Sequence, residues 1–348
     1  MASVSSDAVF RSGGRLIHRV AVLGSGGWGT ALAIHLARVG HDVRLWARDA
    51  SLVADMNARR ANAVYLPDVL FPACLRASAD LAEVLEHAAL VVSAVPSHGT
   101  RAVIRRAAAN LVPGAIVVSA AKGLEQDTLV RVSEIIGQEL AGSHGIVVLS
   151  GPSFAGELAR ELPTAVSVAS ADAGAVERVQ ADFRAPYFRL YASDDVVGVE
   201  IGGALKNVIA IAAGAVEGLG LGHNALAGLI TRGLAEITRL ACAAGARRET
   251  LAGLTGLGDL VLTCTGSLSR NRHVGVELAR GRSLHDVLAG MKMVAEGVRT
   301  TEAALALGAR HGVELPIAAQ VAELLAGRKD ARTAVYDLML RPQRAEAG

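Results

Sequence analysis

The stretch VVGVEIGGALKNVIAIAAGAVEG, residues 196–218, is almost wholly small or aliphatic, yet it carries Lys206 and Asn207 near its middle. A helix apolar on nearly every face belongs in an interior, and an ammonium enclosed there loses its hydration unless a counter-charge or a ligand stands beside it. A lysine held in that way can exchange protons. Two other segments have residue types suited to anions. SAAKGLE places Lys122 in a glycine-containing loop after an aliphatic run, and SGPSFAGE places Gly151, Ser153 and backbone amides after the next. A cation in such a loop binds an anionic group or polarises a carbonyl. GLTGLGDLVLTCTGSLSRNR gathers Asp259, Thr263, Ser269, Arg270 and Asn271 between glycines. Arginine beside amides and hydroxyls suits a phosphate or a diol, because guanidinium donates two parallel hydrogen bonds. The composition alone also fits blander roles: a lysine stem snorkelling to the surface, a solvated loop lysine, and a helix cap with a solvated arginine.

A further motif, VAVLGSGGWGTALAIHLARVGHDVRLWARD, contains Gly24-x-Gly26-x-x-Gly29 between an aliphatic run and a helical one. In this context the first glycine allows a tight turn, the second lets a diphosphate approach the backbone, and the third lets helix and strand pack closely. The end of the next strand selects the dinucleotide: a carboxylate there binds a ribose 2′-hydroxyl, whereas an arginine accommodates a 2′-phosphate. Here LWARD offers Arg48 and then Asp49, which favours NADP and leaves NAD open.

These residues need elements to hold them. From Arg19 to about Ser170, aliphatic runs (RVAVLG, DVRLWAR, LVVSAVP, AIVVSAAKG, GIVVLSGPS, TAVSVAS) alternate with helical segments. Short Val- and Ile-rich runs without polar alternation suit strands covered on both faces. Repeated βα units imply an α/β, Rossmann-type doubly wound, mostly parallel sheet, with ligand loops at the carboxyl ends of its strands. Past about Asp195 the chain turns Ala-, Leu- and Gly-rich with helical spacing, so an all-helical C-terminal domain should follow, including a helix capped by Asn224 and ended by Gly245. The expected division is a flexible tail over 1–17, a dinucleotide-binding domain over 18–195, a helical substrate and catalytic domain over 196–340, and a flexible tail over 341–348.

Lysine and arginine number 35 against 33 acidic residues in 348, so no general electrostatic pull toward nucleic acid or anionic membrane exists. Cys74, Cys242 and Cys264 lie far apart without metal-ligand spacing, which argues against a disulfide framework or zinc and makes a reducing cytosol the default location. No metal is expected. Residues 1–19 lack the apolar core of a secretory signal. Residues 196–218 are the best candidate for a membrane span, but Glu200 and Lys206 and several glycines interrupt them, and a charge at the bilayer centre costs about 2.5–3.5 kcal/mol.

Taken together, GSGGWGTALA, LWARD, YLP, VPSH, SAAKGLE, GPSFA, EIGGALKNVIAIAAG, ITRGLAE, GLGDLVLTCTGSLSRNR and VAEGVRT, in this order and spacing from Arg19 to Tyr336, resemble the bacterial-type NAD(P)-dependent glycerol-3-phosphate dehydrogenase family. The resemblance implies catalytic Lys206 and Lys122, with Lys206 as proton acceptor. It implies substrate contacts at Lys122, Gly151, Ser153, Lys206, Asp259, Ser269, Arg270 and Asn271. Beside Gly24, Gly26 and Gly29 of the motif, it implies cofactor contacts at Gly27, Trp28, Arg48, Tyr65, Lys122, Ala155, Arg270, Val294 and Glu296. The one small departure is Gly222-His223, where the family more often has Gly-Asp. The implied reaction reduces dihydroxyacetone phosphate reversibly to sn-glycerol 3-phosphate for glycerophospholipid synthesis, in the cytoplasm, by a possible homodimer. The rival readings are a β-hydroxyacid or ketopantoate-type dehydrogenase, whose substrate is a carboxylate; a non-catalytic NAD(P) sensor, which has no need of Lys206; and a membrane-associated flavin-linked oxidase, disfavoured by the lack of an anchor.

Overall fold

A computed structural model describes residues 10–12, 15–142, 144–291, 294–343 and 345, with side chains from residue 18 onward. Residues 1–122 with 130–199 form one compact unit, and residues 123–129 with 200–348 form a second.

The first unit is built on strands β1 (Phe10–Ser12), β2 (Arg15–Ile17), β3 (Arg19–Leu23), β4 (Asp42–Trp46), β5 (Ala61–Asn62), β6 (Leu66–Leu70), β7 (Leu75–Ser78), β8 (Ala88–Ser93), β9 (Ile116–Ser119), β10 (Gly145–Ser150), β11 (Thr164–Ala169) and β12 (Phe188–Ser193). Eight of them make one sheet in the order β12-β11-β10-β9-β8-β3-β4-β7. Every neighbouring pair in it is parallel except β10 and β11. β5 and β6 form a small antiparallel pair, and so do β1 and β2. Part of the segment expected as a loose N-terminal tail is therefore paired strand, and the rest of that expectation lies outside the described residues, as do residues 344 and 346–348 of the C-terminal tail.

The sheet explains the near-continuous aliphatic runs. Val20 and Val22 of β3 join one buried cluster, while Ala21 and Leu23 join another. The same alternation places Leu90 and Val92 opposite Val91 in β8, and Val118 opposite Val117 in β9. Helices cover both faces, and each valine or leucine so buried contributes about 1.5–3 kcal/mol of transfer free energy. The register aligns the strand ends. Leu23 faces Trp46 on one side and Ser93 on the other, Ser93 faces Ser119, and Ser119 faces Val148. The loops leaving that edge carry Gly24–Gly29, Arg48, Lys122 and Gly151.

On this unit's outer layer, Arg101 and Arg105 of the helix Ser97–Ala107 both donate to Glu139, at 2.8–2.9 Å. These bonds hold its carboxyl down at about 2 from an ordinary 4.5. A depressed acid contributes stability above its unfolded value and loses it as pH falls through the folded value. The melting temperature should therefore drop between pH 4.5 and about 2, and Glu139→Gln should flatten that part of a melting-temperature profile; an unchanged profile would refute the assignment.

The second unit is helical among its described residues. Its longest helix, Val196–Gly218, begins in the sheet unit; it is long and apolar enough to span a membrane, yet 83% of its most apolar window is buried in the protein. It meets the helix Arg270–Ala279 backbone to backbone. A Cβ on Gly214 would lie 1.9 Å from the carbonyl oxygen of Arg272, and one on Gly275 equally close to that of Ile211. Only glycine allows such an approach. The next helix starts at Gly222, after Leu221 and without a side-chain cap, and runs to Ala243; the expected Asn224 cap lies inside it. Within it, buried Glu236 accepts the Ile317 and Ala318 amides and caps the helix Pro316–Leu325.

Candidate active site

The glycine motif forms the turn from β3 into the helix Gly27–Arg38. Gly24 has φ +108°, where a side chain would be strained, and a Cβ there would meet the Ala94 carbonyl oxygen at 2.9 Å. A Cβ on Gly29 would fall 1.9 Å from the Gly24 carbonyl oxygen. These two glycines serve the protein's own packing. Gly26 differs: a Cβ there would meet nothing within 4 Å, so the bare backbone is not required by any neighbour. The helix has no acid in its first turn and no side-chain cap, which leaves its positive end and early amides to an anion. These features fit a dinucleotide diphosphate. Trp28 packs against the core, and its indole N–H is buried without a partner among the described residues.

After β4, Arg48 is exposed. Asp49 caps the helix Ala50–Arg59, accepting from the Ser51 amide at 2.8 Å, the Ser51 hydroxyl at 2.7 Å and the Leu52 amide at 3.3 Å. Its carboxyl is held below the usual range chiefly by the Ser51 hydroxyl. Tyr65, half-buried, follows β5. At the ends of β9 and β10, Lys122 Nζ donates to the Gly151 carbonyl at 2.8 Å and lies 3.5 Å from Ser153 Oγ, which itself donates to Gly151 at 2.8 Å. Lys122, Gly151 and Ser153 thus meet. Ala155 opens the short helix Ala155–Ala159 and packs against the sheet core.

In the helical unit, Lys206 is 7% exposed and Asp259 is 1% exposed. Lys206 Nζ donates to Asp259 Oδ1 at 2.9 Å and to Thr263 Oγ1 at 2.7 Å, while Thr263 donates back to the Asp259 carbonyl at 2.6 Å. Asp259 and Thr263 stand one turn apart on the helix Asp259–Thr265, which is why both reach the same amine. The enclosure also acts on Cys264, whose thiol burial pushes up to about 12, leaving it protonated and unreactive at neutral pH.

Ser269 caps the helix Arg270–Ala279 through the Arg272 amide. Arg270 is exposed and donates to the Val294 carbonyl at 2.6 Å, next to Glu296, which starts the helix Glu296–His311. Asn271 is otherwise occupied. Its amide nitrogen donates to Asn207 Oδ1 and its oxygen accepts the Gly297 amide, both at 2.9 Å. Asn271 therefore ties three helices together. Asn207 and Thr263 stand out in the sequence as polar types inside apolar runs but carry no residue-specific assignment there, and Asn62 does not stand out at all; each takes part in a buried polar cluster.

A glycine fingerprint on a doubly wound sheet, with a buried lysine–aspartate pair on a helical unit, defines a dinucleotide-dependent dehydrogenase. Residues 19–176 match the NAD-dependent glycerol-3-phosphate dehydrogenase N-terminus and residues 195–336 the corresponding C-terminus. The chain is 53% identical to a glycerol-3-phosphate dehydrogenase [NAD(P)+] of Syntrophotalea carbinolica, over 94% of this chain and 99% of that protein. It is 52% identical to that of Geobacter metallireducens, over 95% and 99%. A glycerol-3-phosphate dehydrogenase structure from Coxiella burnetii superposes with a TM-score of 0.90 at 41% identity, covering 93% of this chain and 99% of that one. The chain belongs to the NAD-dependent glycerol-3-phosphate dehydrogenase family.

Proposed function

We propose that this enzyme reduces dihydroxyacetone phosphate to sn-glycerol 3-phosphate with Lys206 as its acid–base group. The observation that carries the proposal is the Lys206 amine, buried and held by Asp259 and Thr263. When bound, the nicotinamide supplies the hydride to the carbonyl carbon. Lys206 gives a proton to the alkoxide oxygen that results, and in the reverse direction it takes one from the alcohol. Asp259 accepts from the amine and fixes its position. Lys122, Gly151, Ser153, Lys206, Asp259, Ser269, Arg270 and Asn271 are the proposed substrate contacts; the Arg270 guanidinium is suited to phosphate. Asn271 serves through Asn207 and Gly297 as a positioning residue as well. Gly24, Gly26, Gly27, Trp28, Gly29, Arg48, Tyr65, Lys122, Ala155, Arg270, Val294 and Glu296 are the proposed cofactor contacts. A cytoplasmic homodimer supplying glycerophospholipid synthesis belongs to the same proposal.

NADPH is the preferred cofactor in this reading. Asp49 is committed to its helix cap and Arg48 is an exposed cation at that strand end, so the position favours a 2′-phosphate. Arg48→Ala is expected to raise KM for NADPH about tenfold or more with KM for NADH nearly unchanged; equal effects on both would refute the role. The substrate class is tested by comparing kcat/KM for dihydroxyacetone phosphate and ketopantoate. Turnover of the phosphate ester is expected, and turnover of ketopantoate instead would place the chain with the carboxylate-specific rivals.

A further inference from the structure

We propose that Asn62 is a positioning residue that sets the orientation of the dinucleotide-binding turn and couples it to the Tyr65 loop. Asn62 ends β5 and is fully buried. Its amide nitrogen donates to the Ser25 carbonyl at 2.8 Å and to Thr30 Oγ1 at 2.9 Å; its oxygen accepts the Tyr65 amide at 3.2 Å. Both donor hydrogens are thereby used. Thr30 adds a second donor to the same carbonyl, at 3.2 Å, while its amide bonds to Gly26.

Two donors on the Ser25 carbonyl fix the plane of the peptide joining Ser25 to Gly26. In a trans peptide the N–H points opposite the C=O, and no peptide bond in the described chain is cis. The Gly26 N–H is therefore turned away from buried Asn62, on the exposed glycine where a Cβ would meet nothing within 4 Å. A carboxamide is needed for this. Aspartate has the same shape but would set a carboxylate against the Ser25 carbonyl, two acceptors facing each other. Because Asn62 also holds the Tyr65 amide, one side chain sets two segments assigned to the cofactor. This inference rests on the assignment of the dinucleotide to the glycine turn.

The test is NADPH binding by titration calorimetry without substrate, on the full chain. Asn62→Asp is expected to weaken NADPH binding about tenfold or more, as lost hydrogen bonds and a new repulsion allow, with kcat at saturating NADPH within about twofold of the parent. Thr30→Val, which removes one hydroxyl from the same cluster, is expected to weaken binding by a smaller factor, and Thr30→Ser to restore it. Binding within about twofold of the parent in both Asn62→Asp and Thr30→Val, even with a lowered melting temperature, would reduce Asn62 to a packing residue and overturn the inference. Failure of the parent chain to bind NADPH would overturn the cofactor assignment and the inference with it. Bound NADPH that the parent chain never turns over would count against the proposed reaction and leave the role given to Asn62 standing.

Discussion

Lys206→Ala is expected to lower kcat for dihydroxyacetone phosphate by about 100- to 10,000-fold, the usual contribution of a positioned proton donor. NADPH binding should survive, because Lys206 is not among the proposed cofactor contacts. Arginine at this position should not rescue the rate, since a guanidinium keeps its proton throughout the neutral range. An added small amine, filling the space left by the lysine stem, should restore part of it. Steady-state kinetics with and without methylamine, beside calorimetric NADPH binding, checks all three expectations; turnover at the parent rate would remove Lys206 from the chemistry.

The second large effect is on stability. Asp259→Ala leaves an ammonium buried with Thr263 as a remaining neutral partner, and breaking a buried ion pair in this way costs about 3–5 kcal/mol. The denaturant midpoint of the helical unit should fall accordingly. Lys206→Met combined with Asp259→Leu removes both charges of the pair and should be less damaging than Asp259→Ala alone, because neither is left to face the other's absence. Equal or greater loss in the double variant would show that packing, not charge, holds this part of the structure. Both variants should lose turnover.

Much of this arrangement is legible in the sequence where a physical signal is strong and local. β3, β8, β9 and β10 are aliphatic on both faces because helices cover both faces. The glycine motif is readable because turn, bare backbone and close packing each exclude a side chain. β7 and β12 are not readable in the same way. They are the two edges of the sheet; β7 is four residues with an arginine, LRAS, and β12 exposes alternate residues. The start of the helix at Gly222 escapes notice because no side chain caps it, whereas Asn224 looks like a cap. For Lys206 the sequence shows that a partner is needed. It does not show that Asp259, 53 residues further on, supplies it, and the resemblance had placed that carboxylate among the substrate contacts. Asn62 gives the weakest signal of all, since its partners Ser25 and Thr30 lie 37 and 32 residues back.

Hydride delivery to the carbonyl carbon of a three-carbon phosphate, with a proton from the enzyme, is tested most directly by isotope tracing. The purified chain is incubated with dihydroxyacetone phosphate and NADPH carrying deuterium at both nicotinamide C4 positions, and the product is examined by NMR and mass spectrometry. The expected result is sn-glycerol 3-phosphate with deuterium at C2, formed one-for-one with NADPH consumed, and formed at least about 100-fold more slowly with Lys206→Ala. Bound NADPH that is never consumed in the presence of dihydroxyacetone phosphate, or product without deuterium at C2, would contradict the account.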